Sequence, residues 1–123
     1  MSGAGDTDTY ARAVVEDGPM HYWRMSESSG TSGADFMARN NVTTGSGVTR
    51  GAPGVITGDA AATFDGSAGS GSAWSNNAAE HGAFWYSVEA WIRTGTTRGG
   101  KIVGFGNAQT GTSSTANNDR HLY

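Results

Sequence analysis

The apolar positions fall into one helical stretch followed by many short strand-like ones. In residues 9–16, Tyr10/Val14 and Ala11/Val15 recur at i,i+4, and Thr7 or Asp8 stands ready as N-cap, which predicts a short helix. Asp17-Gly18-Pro19 predicts its end, since glycine accepts the left-handed position after a helix and proline cannot continue the ladder. Beyond this stop the period changes to two. Residues 20–25 alternate around Tyr22 and Trp23, a Ser/Gly loop spans 26–33, and short apolar pieces follow near Val42, Val48 and Val55-Ile56. Residues 60–64 predict a strand running into an Asp65-Gly66 turn, and residues 67–82 a long loop with one edge strand at Trp74. The clearest strand pattern is residues 84–94, with Val88, Ala90 and Ile92 on one face and Glu89, Trp91 and Arg93 on the other. A hairpin connection at 94–100 would join it to a partner at 101–105. Residues 107–118 predict an exposed loop, and a further strand begins at His121.

With no second helical segment between the strands, this order predicts an all-β sandwich or jelly roll carrying one short N-terminal helix. No repeat recurs at a fixed period. At 123 residues one domain is expected, with residues 1–8 as a flexible lead and 9–123 as the folded unit.

Composition changes the picture in one respect. One Leu, three Ile, seven Val and four Phe make up only about 12% of the chain, so the large buriable surface comes from four Trp, four Tyr and four Phe. A net charge of −3 without any Lys/Arg run gives no phosphate-backbone footprint, which argues against nucleic acid. The absence of cysteine excludes disulfides and thiolate chemistry. No apolar run is long enough to cross a bilayer as a helix, so no membrane insertion is expected. The first residues carry neither a basic nor an apolar signal region, so export by a self-encoded signal is not expected either. For the same reason Asn41-Val42-Thr43, an N-glycosylation acceptor by pattern, is not expected to meet the glycosylation machinery.

Several stretches resemble one family. Residues 10–27, with Asp17-Gly18-Pro19 and Tyr22-Trp23-Arg24, are similar to the opening of laminin-G-like domains (concanavalin A-like lectins and glucanases) of bacterial and bacteriophage proteins. Residues 54–59 leading to Phe64-Asp65-Gly66, the stretch Ser87-Val88-Glu89-Ala90-Trp91, and residues 101–106 and 118–123 continue the resemblance in order. It implies a concanavalin A-like two-sheet antiparallel jelly roll, of which this chain matches the N-terminal portion, so the sandwich is expected to be incomplete. Unpaired edges and one apolar face would then be covered by another copy, another protein or a continuation.

Candidate chemistry is sparse. Glycoside hydrolysis needs two carboxylates about 5–9 Å apart. The strand at 84–94 offers Glu89 alone beside Arg93, a pattern as well read as a solvated pair, so no catalytic residue is assigned and no enzyme is expected. His21, His81 and His121 have no metal-ligand spacing and read as structural or exposed. Domains of the resembled kind often hold calcium in loop oxygens, which offers Asp35 and Asp65 as metal ligands; equally, Asp65 serves the Asp-Gly turn and Asp35 caps a loop. Carbohydrate binding in such folds uses stacked aromatic rings and polar arms, which nominates Trp74, Trp85, Tyr86, Asn118, Asp119 and Arg120, against their alternative use as core. Trp23 and Trp91 are expected in the core or at an interface. The functional expectation is a non-enzymatic recognition or adhesion module of a virion, of the bacteriophage minor-tail type, binding host-surface carbohydrate and located in the tail. The alternative is a structural assembly subunit whose edges pair with neighbouring subunits or copies. A glycoside hydrolase fragment ranks third.

Overall fold

A computed structural model of the chain describes residues 6–67, 69–77, 84–106 and 118–122. Among these residues one helix, α1 (Asp6–Glu16), precedes seven strands: β1 (Ser32–Gly33), β2 (Val42–Thr44), β3 (Val48–Pro53), β4 (Ala60–Phe64), β5 (Ala73–Ser75), β6 (Val103–Gly106) and β7 (Asn118–Leu122). Every pairing is antiparallel, and the strands form three small sheets, β1-β2-β5, β3-β4 and β6-β7. The chain is a small all-β fold with one short helix.

The helix begins at Asp6, earlier than the sequence pattern placed it, so Thr7 and Asp8 are helical residues rather than caps. The stop falls where expected. Asp17 N–H donates to the Val14 carbonyl (3.2 Å), Gly18 N–H to that of Val15 (3.0 Å), and Gly18 takes φ +66°.

In β1-β2-β5 the two faces differ. Val42 and Thr44 are buried, while Thr43, registered with Trp74 across the ladder, points to the opposite, outer face. Trp74 sits on an edge strand, half-buried on that outer face, and Asn76 follows two residues later on the same side. In β3-β4 the register moves from Thr49↔Thr63 to Ala52↔Ala61, which inserts one extra residue into β3 at Arg50-Gly51. This bulge turns Arg50 inward, where its side chain is 3% exposed. Arg50 Nη1 bonds Glu27 (3.0 Å) and Nη2 donates to Thr44 Oγ1 (3.4 Å), which ties β3 to the first sheet.

One expectation is overturned. Residues 86–101 carry no strand, and β6 pairs with β7 rather than with the 84–94 segment. Alternating apolarity stabilises a strand only when a second layer covers one face. Here Phe84, Trp85 and Trp91 are 92%, 93% and 74% exposed. Residues 20–25 likewise form only a bridge, Trp23↔Asp35, and Val55-Ile56 lie in a turn. The predicted loop at 107–118 falls outside the described residues up to 117.

Among the described residues Ala11 and Val42 alone are buried apolar ones, so close backbone contacts and polar ties hold the sheets together. At Gly45 an added Cβ would collide with the Ser70 carbonyl, where the 69–72 loop hydrogen-bonds back to Gly45 and Gly47. Gly45→Ala is therefore expected to destabilise by about 1–3 kcal/mol. Gly18→Ala, which meets nothing within 4 Å, should cost about 1 kcal/mol through its positive φ alone. Urea denaturation of the two variants checks this order.

Candidate functional site

The most organised site is built around Asp35. Its carboxylate is fully buried and accepts five N–H donors: Oδ1 from Tyr22 N (3.0 Å) and Met37 N (2.9 Å), and Oδ2 from His21 Nδ1 (2.8 Å), Asn40 N (2.9 Å) and Arg39 N (3.2 Å). Burial by itself would raise the Asp35 pKa. The bonds from His21 and from the backbone of Tyr22, Asn40 and Met37 outweigh it and hold the carboxyl well below the usual carboxylate range. The His21 ring, which must carry its proton on Nδ1 to donate, stacks on Trp23 with centroids 5.0 Å apart and planes 10° apart. Trp23 Nε1 in turn donates to the Asn40 carbonyl (2.7 Å), so this indole is engaged within its own chain.

These bonds fix the turn at 36–41. The Asp35 N–H donates to Asn41 Oδ1 (3.0 Å), and Ala38 N–H donates to the Asp35 carbonyl (2.8 Å) while holding φ +57°, unusual for a residue with a Cβ. Asn40, 4% exposed, accepts the Asn77 N–H on Oδ1 (3.0 Å). Asn76 N–H donates to the Asn41 carbonyl (2.8 Å), and Thr43 Oγ1 bonds Asn76 Oδ1 (2.5 Å). Between these segments lies an open cleft of about 330 Å³, lined by Ala38, Arg39, Asn40, Asn41, Asn76 and Asn77. Trp74 stands on the sheet face that carries Asn76.

The residues nominated for carbohydrate are not gathered into one place. Trp74 belongs to β5, two residues before Asn76 of the cleft lining. Trp85 is almost wholly exposed, and Tyr86 sets its ring edge-on to Phe105 of β6 (5.5 Å, 73°). Asn118 and Arg120 are registered with Gly106 and Phe105 along β7, and Asp119 lies between them; their side chains, like Asp119's, lie outside what is described. Trp91 donates its indole N–H to the Tyr10 hydroxyl (2.7 Å), which tethers its segment to α1. Glu89 and Arg93 are exposed.

The two aspartates nominated for calcium differ. Five donors leave Asp35 no lone pair to offer a cation in this arrangement. Asp65 is exposed, and its Oδ1 accepts Ser67 N–H (2.8 Å) and Oγ–H (2.6 Å); these two bonds, the hydroxyl's first, lower its pKa. Its Oδ2 makes no hydrogen bond among the described residues. The Asp-Gly turn forms as expected, with Gly66 at φ +73°. Among the described residues no group of three or more His, Asp or Glu is placed to hold a metal ion.

Sequence reasoning missed the cleft. Asn41 drew notice only as a glycosylation acceptor, and Arg39, Asn40, Asn76 and Asn77 drew none. The available signal was Asn40-Asn41 and Asn76-Asn77, two of the three Asn-Asn doublets of the sequence, each beside a short strand. Compared with protein-family models, with curated proteins and with solved structures, the chain matches none.

Removing the Asp35 carboxylate would leave buried N–H groups without acceptors, so Asp35→Ala should lower unfolding stability by about 3–5 kcal/mol, read from urea denaturation. The pH sign follows from the lowered pKa. This carboxylate contributes fully above its unfolded-state pKa near 4, and its contribution is lost as pH falls below that value. Melting temperatures of the wild type should therefore fall with acidification below about pH 4, and Asp35→Asn should flatten that limb.

Proposed function

We propose that this chain is a non-enzymatic recognition module of a virion, of the bacteriophage minor-tail type, with a laminin-G-like jelly roll as its parent fold. It takes host-surface carbohydrate on the outer face of β1-β2-β5. The observation behind this reading is the half-buried indole of Trp74 on an outward sheet face, two residues before Asn76 of a cleft lined by four asparagines. A sugar offers an apolar ring face and a rim of hydroxyls. An aromatic ring matches the first, and amides, which both donate and accept, match the second. Trp85 and Tyr86 are further aromatic candidates outside that sheet, Tyr86 with its ring edge-on to Phe105. Where calcium participates, Asp65 is the carboxylate with an oxygen to give, and the expected sign is calcium-dependent thermal stabilisation that Asp65→Ala abolishes.

A second reading has its own observation. The exposed Phe84, Trp85 and Trp91 are large apolar residues on one segment, as expected of an assembly subunit whose surface is covered by a neighbouring subunit or a further copy.

A glycan array separates the two. The recognition reading expects the wild type to bind a restricted set of glycans and Trp74→Ala to lose about tenfold or more in affinity, with an unchanged melting temperature. A wild type that binds no glycan and copurifies in fixed stoichiometry with particle proteins overturns it in favour of assembly.

A further inference from the structure

We infer that the cleft between residues 38–41 and 76–77 is a subsite for a carboxylate-bearing sugar, a hexuronate unit of an acidic glycan; this deepens the carbohydrate reading above and rests on it. The inference comes from which ends of the amides the fold has already used. Asn41 turns its Oδ1 to the Asp35 N–H, which leaves its Nδ2 as an outward donor. Asn76 has its Oδ1 bonded to the Thr43 hydroxyl, which again leaves the NH₂ group. Asn40 is spent in the floor, with Oδ1 on the Asn77 N–H and Nδ2 reaching the Asn77 carbonyl at 3.4 Å. In Asn41 and Asn76, both exposed, the amide oxygen is therefore the end taken by the protein and the NH₂ group the end left over.

Arg39 completes this set. It is exposed, it lines the cleft, and no ion pair engages its guanidinium among the described residues. Its backbone N–H is fastened to Asp35, so the residue is anchored at its base while the fork remains available. One planar cation among neutral amide donors suits one carboxylate, taken in bidentate fashion, together with ring hydroxyls. Behind the wall the Asp35 carboxylate has its oxygens taken up by five N–H donors, which fixes the wall's shape. Ala38, held at φ +57° within the lining, shows that the turn keeps a shape its residue does not favour, as binding sites often do. A volume of about 330 Å³ lies at the lower end of the range for small-ligand sites, in keeping with a subsite for one unit of a longer chain.

The test is calorimetric titration of the whole chain with two tetrasaccharides of the same β-1,4 linkage, oligoglucuronate and oligoglucose, which differ in the carboxylate. The acidic tetramer is expected to bind about tenfold tighter, the ratio shrinking as salt is raised. Arg39→Gln should bring the ratio close to one. Arg12→Gln, which makes the same charge change on the exposed side of α1, should preserve it. Equal affinity for the two tetramers in the wild type, or an undiminished ratio in Arg39→Gln, overturns the inference. If other glycans bind in a Trp74-dependent way while oligoglucuronate does not, the acidic subsite falls and the recognition reading stands. If no glycan binds at all, both fall.

Discussion

Asp35 places a full negative charge where no water reaches it, and the chain answers with N–H groups from five residues, at 21, 22, 37, 39 and 40. An isolated carboxylate in such a place would simply take up a proton, because burial disfavours the charged form. The converging donors reverse that balance, and this makes the arrangement cooperative. Each bond is worthwhile only while the others hold the carboxylate ionised and in place. The backbone on either side of Asp35, from Tyr22 to Asn40, is thereby gathered onto one point.

A chain so poor in Leu, Ile and Val cannot rely on apolar burial for this task. Similar polar ties recur elsewhere. Arg50, aimed inward by a bulge, joins β3 to Glu27 and Thr44, and Arg24 binds Asp59 at 2.7 Å while lying 5.9 Å from the centre of the Phe36 ring. These ties are directional, so they specify register and turn shape as well as contributing energy. The cleft inherits its character from them. Asn41 and Asn76 have their NH₂ groups left over because their oxygens are taken by the protein, and Arg39 stands at the rim because its own N–H is held by Asp35.

Much of the local structure was legible from residue chemistry. The helix stop at Gly18, the strand at 60–64, the Asp65-Gly66 turn and the edge strand at Trp74 each follow from a local rule about backbone freedom or alternation, and each is present. The segment at 84–94 was misread because alternation records which side chains would be buried by a second layer, and the chain as described places no such layer there. The same missing cover leaves β6 to pair with β7. Asp35 was legible only as a loop aspartate with a choice of roles. Its five partners come from positions between 21 and 40 that no fixed spacing marks. The asparagine doublets did not stand out, since turns and ligand sites draw on the same amide chemistry. The aromatic residues nominated for sugar were visible individually, but the separation of Trp74 on β5 from Trp85 and Tyr86, which lie in no strand, depends on strand pairings that their own positions do not encode.

The central claim is that one buried carboxylate organises the turn that builds the cleft. Native-state amide hydrogen exchange tests it most directly, read residue by residue at Tyr22, Met37, Arg39 and Asn40 in the wild type and in Asp35→Asn. The account predicts that these four amides, none of them in a helix or a strand ladder, exchange slowly and with a common opening free energy in the wild type, and that they lose protection together in the variant. Exchange at the rate of an open loop in the wild type, or four unrelated protections that the substitution leaves unchanged, would contradict it.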